Sequence, residues 1–254
     1  MREQNEIKKQ LMAAGIENAD LEAAMLCEHF SGEALTQAVA RRAAHYPLQY
    51  LIGEWGFWKE TYEVSEHCLV PRPDTEHLVE QAIKRLPQGA RFLDLCTGSG
   101  CVAISVLATR PDATAVGIDL FEPTLALAAR NAERNGVAAR LELRLGDVLR
   151  GAASEEKFDA ILSNPPYIRR AVMSQLSPEV GHEPYAALCG GEDGLDFYRA
   201  ILEKWSRFLK KDGFILFEIG YDQAEDLKAL AAQYARTATV FRDYGGNDRV
   251  VLLQ

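Results

Sequence analysis

The stretch Leu93-Asp94-Leu95-Cys96-Thr97-Gly98-Ser99-Gly100-Cys101 reads as a strand that runs into a glycine turn and out into a helix. Glycines at 98 and 100 let the backbone turn sharply and bring its N–H groups close to a ligand at a helix N-terminus. Outward from this point the pattern alternates. Upstream, a helix carrying Leu78, Val79, Ala82, Ile83 and Leu86 leads into a strand over 91–95. Downstream, a helix from Gly100 precedes a strand over 114–119 and a helix through Leu125 and Ala129. Strands follow at 141–145 and 158–163, then a long loop, a helix over 195–209, a strand over 214–219 and a helix from Asp222. Strands at 239–243 and 249–253 close the chain around Tyr244-Gly245-Gly246-Asn247-Asp248, a tight turn that makes the last strand antiparallel. Such alternation predicts an α/β protein with a doubly wound, mainly parallel, seven-stranded sheet occupying residues 71–254.

Ahead of that unit the period is different. In residues 1–47, Ile7, Leu11 and Met12 mark one short helix, Leu21, Met25 and Leu26 a second, and Leu35 and Val39 a third, with breaks at Gly15, Gly32 and Pro47. Helices this short need one another, so a small N-terminal helical domain is expected. Residues 48–70 hold Tyr50, Trp55, Phe57, Trp58, Tyr62 and Val64 with breaks at Gly53 and Gly56, which predicts a β-hairpin linker.

Lys and Arg total 28 against 37 Asp and Glu, a net charge of −9, so no whole-protein field attracts phosphate backbones and direct nucleic-acid binding is not expected. A 48% hydrophobic composition excludes general disorder. The cysteines at 27, 68, 96, 101 and 189 include no Cys-x-x-Cys pair and read as reduced thiols. The five histidines show no metal-ligand spacing, and no metal site is predicted. The N-terminus lacks the basic start and apolar core of a secretion signal, and no apolar run approaches the ~18 residues of a membrane span. A cytoplasmic, soluble chain without a membrane partner is expected.

Gly98-Ser99-Gly100-Cys101-Val102-Ala103 satisfies the dinucleotide fingerprint, and Asp119 stands at the distance where an acid holds a ribose. The loop alone leaves a nicotinamide dinucleotide and S-adenosylmethionine equally open. Asp119 is suited to accept from both ribose hydroxyls, its alternative use being a cap before Glu122-Pro123. Asp147, after the third strand, lies where an acid meets the adenine amino group; the alternative is a solvated turn residue.

Ser163-Asn164-Pro165-Pro166-Tyr167 breaks the tie. It follows the strand over 158–163, which puts Asn164 at the same carboxyl edge as the glycine loop. Two successive prolines lock an extended backbone and remove two N–H donors, leaving acceptors: the Asn164 side-chain oxygen and main-chain carbonyls. A planar NH₂ group has two donors to satisfy. Asn164 and the Pro165 carbonyl would take one each and fix the nitrogen toward a methyl sulfonium, with Tyr167 covering the flat group. A dehydrogenase has no use for this cluster. Methyl transfer to a planar NH₂ nitrogen does.

At these residues the sequence resembles the glutamine-N5 methyltransferases that modify bacterial peptide chain release factors. The resemblance extends to Pro47-Leu48-Gln49-Tyr50-Leu51-Ile52-Gly53, Val70-Pro71-Arg72-Pro73-Asp74-Thr75-Glu76, Glu183-Pro184, Gly190 to Leu195, Phe217-Glu218-Ile219-Gly220 and Asp248-Arg249-Val250-Val251. It implies a substrate-recognition role for the N-terminal helices, a seven-stranded S-adenosylmethionine-dependent methyltransferase domain, and class I release factors as protein substrate, methylated on the Gly-Gly-Gln glutamine. It places the cofactor along Cys96, Thr97, Gly98, Ser99, Gly100, Asp119, Leu120, Asp147, Val148 and Asn164, and the reacting amide on Asn164, Pro165, Pro166 and Tyr167. Asp74 stands where the family commonly has Glu, Cys96 where glycine is frequent, and Val148 where some members carry an aromatic. Arg72 and Glu76 are candidates for the cleft wall. Two other readings stay open: a nucleic-acid amino methyltransferase acting on adenine N6 or guanine N2, since the same cluster suits any planar NH₂ group, and a noncatalytic module retaining the fold.

Overall fold

In the computed structural model, which describes residues 2–254, the alternation becomes a seven-stranded sheet. Helices α1 (Arg2–Ala13), α2 (Ala19–His29), α3 (Gly32–Ala43) and α4 (Leu48–Ile52) precede a hairpin of β1 (Glu54–Phe57) and β2 (Glu60–Glu63). Then follow α5 (Glu76–Arg85), β3 (Arg91–Leu95), α6 (Cys101–Thr109), β4 (Thr114–Asp119), α7 (Glu122–Arg134), β5 (Leu141–Leu145) and β6 (Phe158–Ser163). The last third holds α8 (Tyr185–Leu188), α9 (Asp196–Ala200), β7 (Leu209–Glu218), α10 (Ala224–Gln233), β8 (Ala238–Arg242) and β9 (Asp248–Leu253). The order across the sheet is β5-β4-β3-β6-β7-β9-β8, and β9 alone runs antiparallel, between β7 and β8.

Side chains leave a strand on alternate faces, and both faces are covered. Phe92, Ala160 and Leu162 meet α5 and α6 through Leu78, Val79, Ile104 and Leu107, while Leu93, Leu95 and Ile161 meet Tyr198, Trp205 and Leu227 on the other side. Helix α6, apolar around most of its circumference, is buried from Val102 to Leu107. The chain leaves β3 through α6 toward β4 and β5, then returns to place β6 on the opposite flank of β3. That reversal opens a crevice at the carboxyl ends of β3 and β6, where open α/β sheets bind ligands.

The expected hairpin is shorter than residues 48–70: Leu48–Ile52 closes as one helical turn ending at Gly53 (φ +83°), and pairing spans only Glu54 to Glu63. Among the N-terminal helices, Ile7, Leu11, Ala19, Ala23, Leu26, Leu35 and Val39 share one core, but Met12 and Leu21 face outward. Neither lies one turn from its helix's buried residues. The expected helix over 195–209 is also not uniform. After α9 the backbone widens to a π turn at Ile201–Trp205, tightens to a 3₁₀ turn at Ser206–Phe208, and enters β7 at Leu209, five residues before the expected start. The buried Trp205 ends that π turn, and its indole N–H donates to the Val148 carbonyl at 2.8 Å, so the irregular turn supports the loop after β5.

Two polar ties hold the N-terminal half on the sheet. Asn131, buried on α7, accepts the Glu63 N–H at 2.7 Å and donates to the carbonyls of Glu63 and Ser99, joining the hairpin to the glycine loop. Arg42, buried on α3, donates to Glu22 on α2 and at 2.6 Å to Glu179 in the loop between β6 and β7. Edge-to-face packing of Tyr46 on His182 extends this contact. Arg42→Ala would leave the poorly exposed Glu22 carboxylate unpaired and is expected to cost about 3 kcal/mol in denaturant unfolding, as loss of one partner of a buried ion pair does. Glu179→Ala should cost far less, since its carboxylate is 41% exposed and Arg42 keeps Glu22. Equal stability of the Arg42 variant and the parent chain would show that the tie carries no load.

Candidate active site

Leu95 pairs with Ser163 across β3 and β6, and the Ser163 hydroxyl donates to the Leu95 carbonyl at 2.6 Å. The turn after β3 and the exit from β6 are therefore side by side. A cleft of about 490 Å³ opens over them, in the range of small-molecule sites. Cys96, Thr97, Gly98, Ser99, Asp119, Leu120, Asp147, Val148, Asn164 and Pro166 all line it. Pro165 and Tyr167 line a second cavity of about 270 Å³, and Asn164 is a wall of both.

Gly100 is the one residue of the expected cofactor set that does not reach the cleft wall. It sits at φ +80°, and a Cβ there would meet Ile104 Cδ1 at 2.8 Å and Ala128 at 3.3 Å. Its part is to let α6 begin against α7. Cys96 is also left-handed (φ +61°), which costs a residue with a Cβ roughly 1–2 kcal/mol.

Asp119 ends β4 facing the glycine turn, with Oδ2 accepting the Gly98 N–H at 3.0 Å and Oδ1 the Phe121 N–H at 3.3 Å. Burial pushes its carboxyl up, and these N–H groups oppose the shift. Asp147 lines the cleft, and its Oδ1 accepts the Leu149 N–H at 2.9 Å, so the same acid also turns the chain after β5. Val148 is buried, with exposed Leu149 and Phe121 nearby at the rim. An acid opposite a turn of backbone donors, with apolar walls on either side, fits a nucleoside carrying ribose hydroxyls and a flat base.

Several contributors were not read from the sequence. Asp94 is fully buried in β3, accepts the Thr97 hydroxyl at 2.6 Å and the Ala103 N–H at 3.3 Å, and so braces both ends of the turn; burial pushes its carboxyl up to about 7. A lone acid inside Phe92-Leu93-Asp94-Leu95 was the available signal. Thr75 lines the cleft and its hydroxyl accepts the Asn164 Nδ2–H at 3.1 Å, which leaves the Asn164 oxygen without an internal donor. Residues His67 to Val70 close the cleft from the hairpin side.

Of the two candidates for the cleft wall, Arg72 lines both cavities and pairs with the buried Glu183. Glu76 does not reach them: its Oε1 accepts the Trp58 N–H at 2.7 Å and holds the hairpin to α5. Asp74 is turned to Arg249 at 3.1 Å. The Gly190 motif packs behind the Asn-Pro-Pro-Tyr turn, where a Cβ on Gly190 would lie 2.6 Å from the Pro166 carbonyl. Gln223 donates to the Tyr167 carbonyl at 3.1 Å from the same side. Burial, reinforced by Glu218, pushes the Tyr167 phenol well above its usual range, so it stays neutral. Among the described residues no group of His, Cys, Asp and Glu is arranged to hold a metal ion, and no helix is long and apolar enough to cross a membrane.

Sheet order, the antiparallel β9 and a ligand cleft at the switch point define an S-adenosylmethionine-dependent methyltransferase. Residues 73–182 match the family model described as Methyltransferase small domain. A crystal structure of a methyltransferase from Pyrococcus furiosus shares the fold, with a TM-score of 0.58 at 19% identity over 76% of this chain and 87% of that one. Among curated proteins, the release factor glutamine methyltransferase of Caulobacter vibrioides is 39% identical over 96% of this chain and 92% of its own length. That of Cereibacter sphaeroides is 46% identical over 84% of this chain and 76% of its own. The chain belongs to the release factor glutamine methyltransferase family.

Asp119→Ala is expected to weaken S-adenosylmethionine binding by ~1.5 to 3 kcal/mol, the worth of hydrogen bonds to a charged group. Titration calorimetry measures it; an unchanged affinity would remove Asp119 from the site.

Proposed function

We propose that this chain transfers the methyl group of S-adenosylmethionine to the side-chain amide nitrogen, N5, of the glutamine in the Gly-Gly-Gln motif of class I release factors, with Asn164, Pro165, Pro166 and Tyr167 holding that amide. The observation that carries the reading is the place of Asn164. It separates the cleft lined by the glycine turn from the second cavity, and its oxygen is unclaimed because its Nδ2 is bound to Thr75. The cofactor, when bound, supplies an electrophilic methyl on a sulfonium centre.

The chain's own groups do the rest by positioning. Leu69, Ile168, Leu176, Val180 and Leu188 give the second cavity apolar walls that suit the methylenes of one extended side chain. At its inner end the Asn164 oxygen and the Pro165 carbonyl accept the two amide protons, and the neutral Tyr167 ring lies along the planar group. The amide nitrogen gains the methyl as the S–C bond breaks, then releases one proton. Acceptors already in place stabilise the positive charge that develops there. Glycines beside the reacting residue allow a backbone without side chains to enter a confined space.

Nucleic acid as acceptor is the alternative, and the net charge of −9 speaks against it, because a polyanion would approach without general electrostatic help. A substrate-recognition role for the N-terminal helices is supported by their ties, through Arg42 and Tyr46, to the loop that borders the second cavity.

Asn164→Ala should lower turnover by roughly 10² or more without unfolding the chain, the usual cost of removing one prearranged transition-state contact. Mass spectrometry of an incubated release factor should place one methyl group on the glutamine, and a substrate carrying glutamate there should accept none, since a carboxylate has no protons to give. Label entering nucleic acid with the release factor unmodified would overturn the assignment of substrate.

A further inference from the structure

The cofactor cleft and the second cavity share part of their walls. Among the described residues, Leu69, Arg72, Asn164 and Ala187 line both, so the polar side chains at the junction are Asn164 and Arg72. Arg72 stands in a fixed stretch of backbone. Pro71 and Pro73 flank it in an extended conformation, the Tyr50 hydroxyl donates to the Cys68 carbonyl at 2.5 Å, and the Thr75 N–H donates to the Arg72 carbonyl at 3.0 Å. Its Nη2 donates to Oε1 of Glu183, a side chain 2% exposed, while the Arg72 side chain itself is 37% exposed. Among the described residues the other N–H groups of that guanidinium have no partner, and Glu183 Oε2 is buried without one.

A primary amide brings donors on its nitrogen and an acceptor on its oxygen. Asn164 and the Pro165 carbonyl account for the nitrogen and leave the oxygen to be satisfied in a cavity with mostly apolar walls, where a carbonyl without a donor is costly. Three side chains of that cavity can donate. Tyr167 gives its proton to Glu218 and Asn164 gives Nδ2–H to Thr75, which leaves the free N–H groups of Arg72. An uncompensated guanidinium would favour a carboxylate over a neutral carbonyl. Glu183 removes that preference. The pair carries no net charge, so an incoming carboxylate meets the Glu183 anion together with the Arg72 cation, whereas an amide oxygen needs only a free N–H.

We propose that Arg72 is the hydrogen-bond donor to the carbonyl oxygen of the acceptor glutamine, and that its pairing with Glu183 makes the site select a neutral amide over a carboxylate. This rests on Asn164 and Pro165 holding the amide nitrogen, as proposed above. With a donor for one branch of the amide and acceptors for the other, the side chain fits in one direction only, its nitrogen held by Asn164 at the junction with the cofactor cleft. The reversed amide would set its oxygen against the Asn164 oxygen and its NH₂ against the guanidinium, acceptor on acceptor and donor on donor.

The experiment measures transfer to an intact release factor, with the same protein carrying glutamate at the reacting position as inhibitor and S-adenosylhomocysteine and 5′-methylthioadenosine as cofactor probes. Arg72→Met should lower kcat/KM about 10- to 100-fold, the loss expected from an unpaired acceptor, with S-adenosylhomocysteine affinity unchanged. Glu183→Gln, which leaves the cation uncompensated, should bind the glutamate form at least about 10-fold more tightly than the parent does, and adding Arg72→Met should remove that gain. An ion pair that served only to tie the two segments together would give no such gain, and its absence overturns the proposal. If Arg72→Met weakens S-adenosylhomocysteine but not 5′-methylthioadenosine, which lacks the amino-acid end, the guanidinium holds the cofactor carboxylate and the proposal fails. Asn164→Ala is run alongside. If it is inactive while Arg72→Met keeps the parent kcat/KM, the Arg72 assignment is wrong and the reading of the amide site stands; a fully active Asn164→Ala enzyme removes that reading instead. Should either Arg72→Met or Glu183→Gln not fold, the comparison made on the other decides.

Discussion

The Ser163 hydroxyl bound to the Leu95 carbonyl closes the seam between β3 and β6, and the site is built outward from that seam. Parallel strands in fixed register deliver their carboxyl ends to one edge, so a turn that follows β3 and a turn that follows β6 must emerge as neighbours. Connections leave that edge in opposite directions, and the space between them stays open. The glycine turn and Asp119 then stand on one side of the crevice and Asn164 on the other. A slip of one residue in this pairing would turn Leu93 and Leu95 to the opposite face and separate the two turns.

Around the seam, buried polar side chains hold irregular backbone. Asp94 braces the glycine turn, Asn131 joins it to the hairpin, and Gln223 secures the Tyr167 carbonyl. Each sits in a place where a lost partner costs ~1 to 3 kcal/mol, so these turns are rigid where ordinary loops are not. Two buried carboxylates break the pattern of full pairing: Glu183 and Glu218 each keep one oxygen without a partner, and Arg72, the partner of Glu183, lines both cavities. Unpaired acceptors of this kind are rare in protein interiors and gather where a protein works.

Much of the site was legible because its residues are chosen for unusual backbone. Glycine at 98 and 100 and proline at 165 and 166 restrict the chain so strongly that their chemistry follows from local sequence, and each of these turns sits at the end of a strand as expected. At Gly100 the local sequence shows a turn but not the packing, since only the contact with Ala128 reveals that the turn also lets α6 begin against α7. The widened turn after α9 escaped for a similar reason. Its apolar spacing suits an ordinary helix, and the indole bond to Val148 that accompanies the π turn spans 57 positions of sequence.

Composition, period and turn residues by themselves determined the seven strands, their α/β order, the antiparallel last strand and the two turns that form the cleft, because these depend on local steric rules and on which faces must be buried. Met12 and Leu21 could not be placed that way, since a short helix offers more apolar residues than its partners can cover. Thr75 and Glu218 were legible only as members of motifs, with no role attached: a threonine before a helix reads as a cap and an acid at a strand end as a solvated terminus. Tertiary structure alone brought Thr75 against Asn164, 89 positions apart, and Glu218 behind Tyr167, 51 apart. A hydrogen bond acts over about 3 Å whatever the separation along the chain, and only the folded sheet supplies that distance.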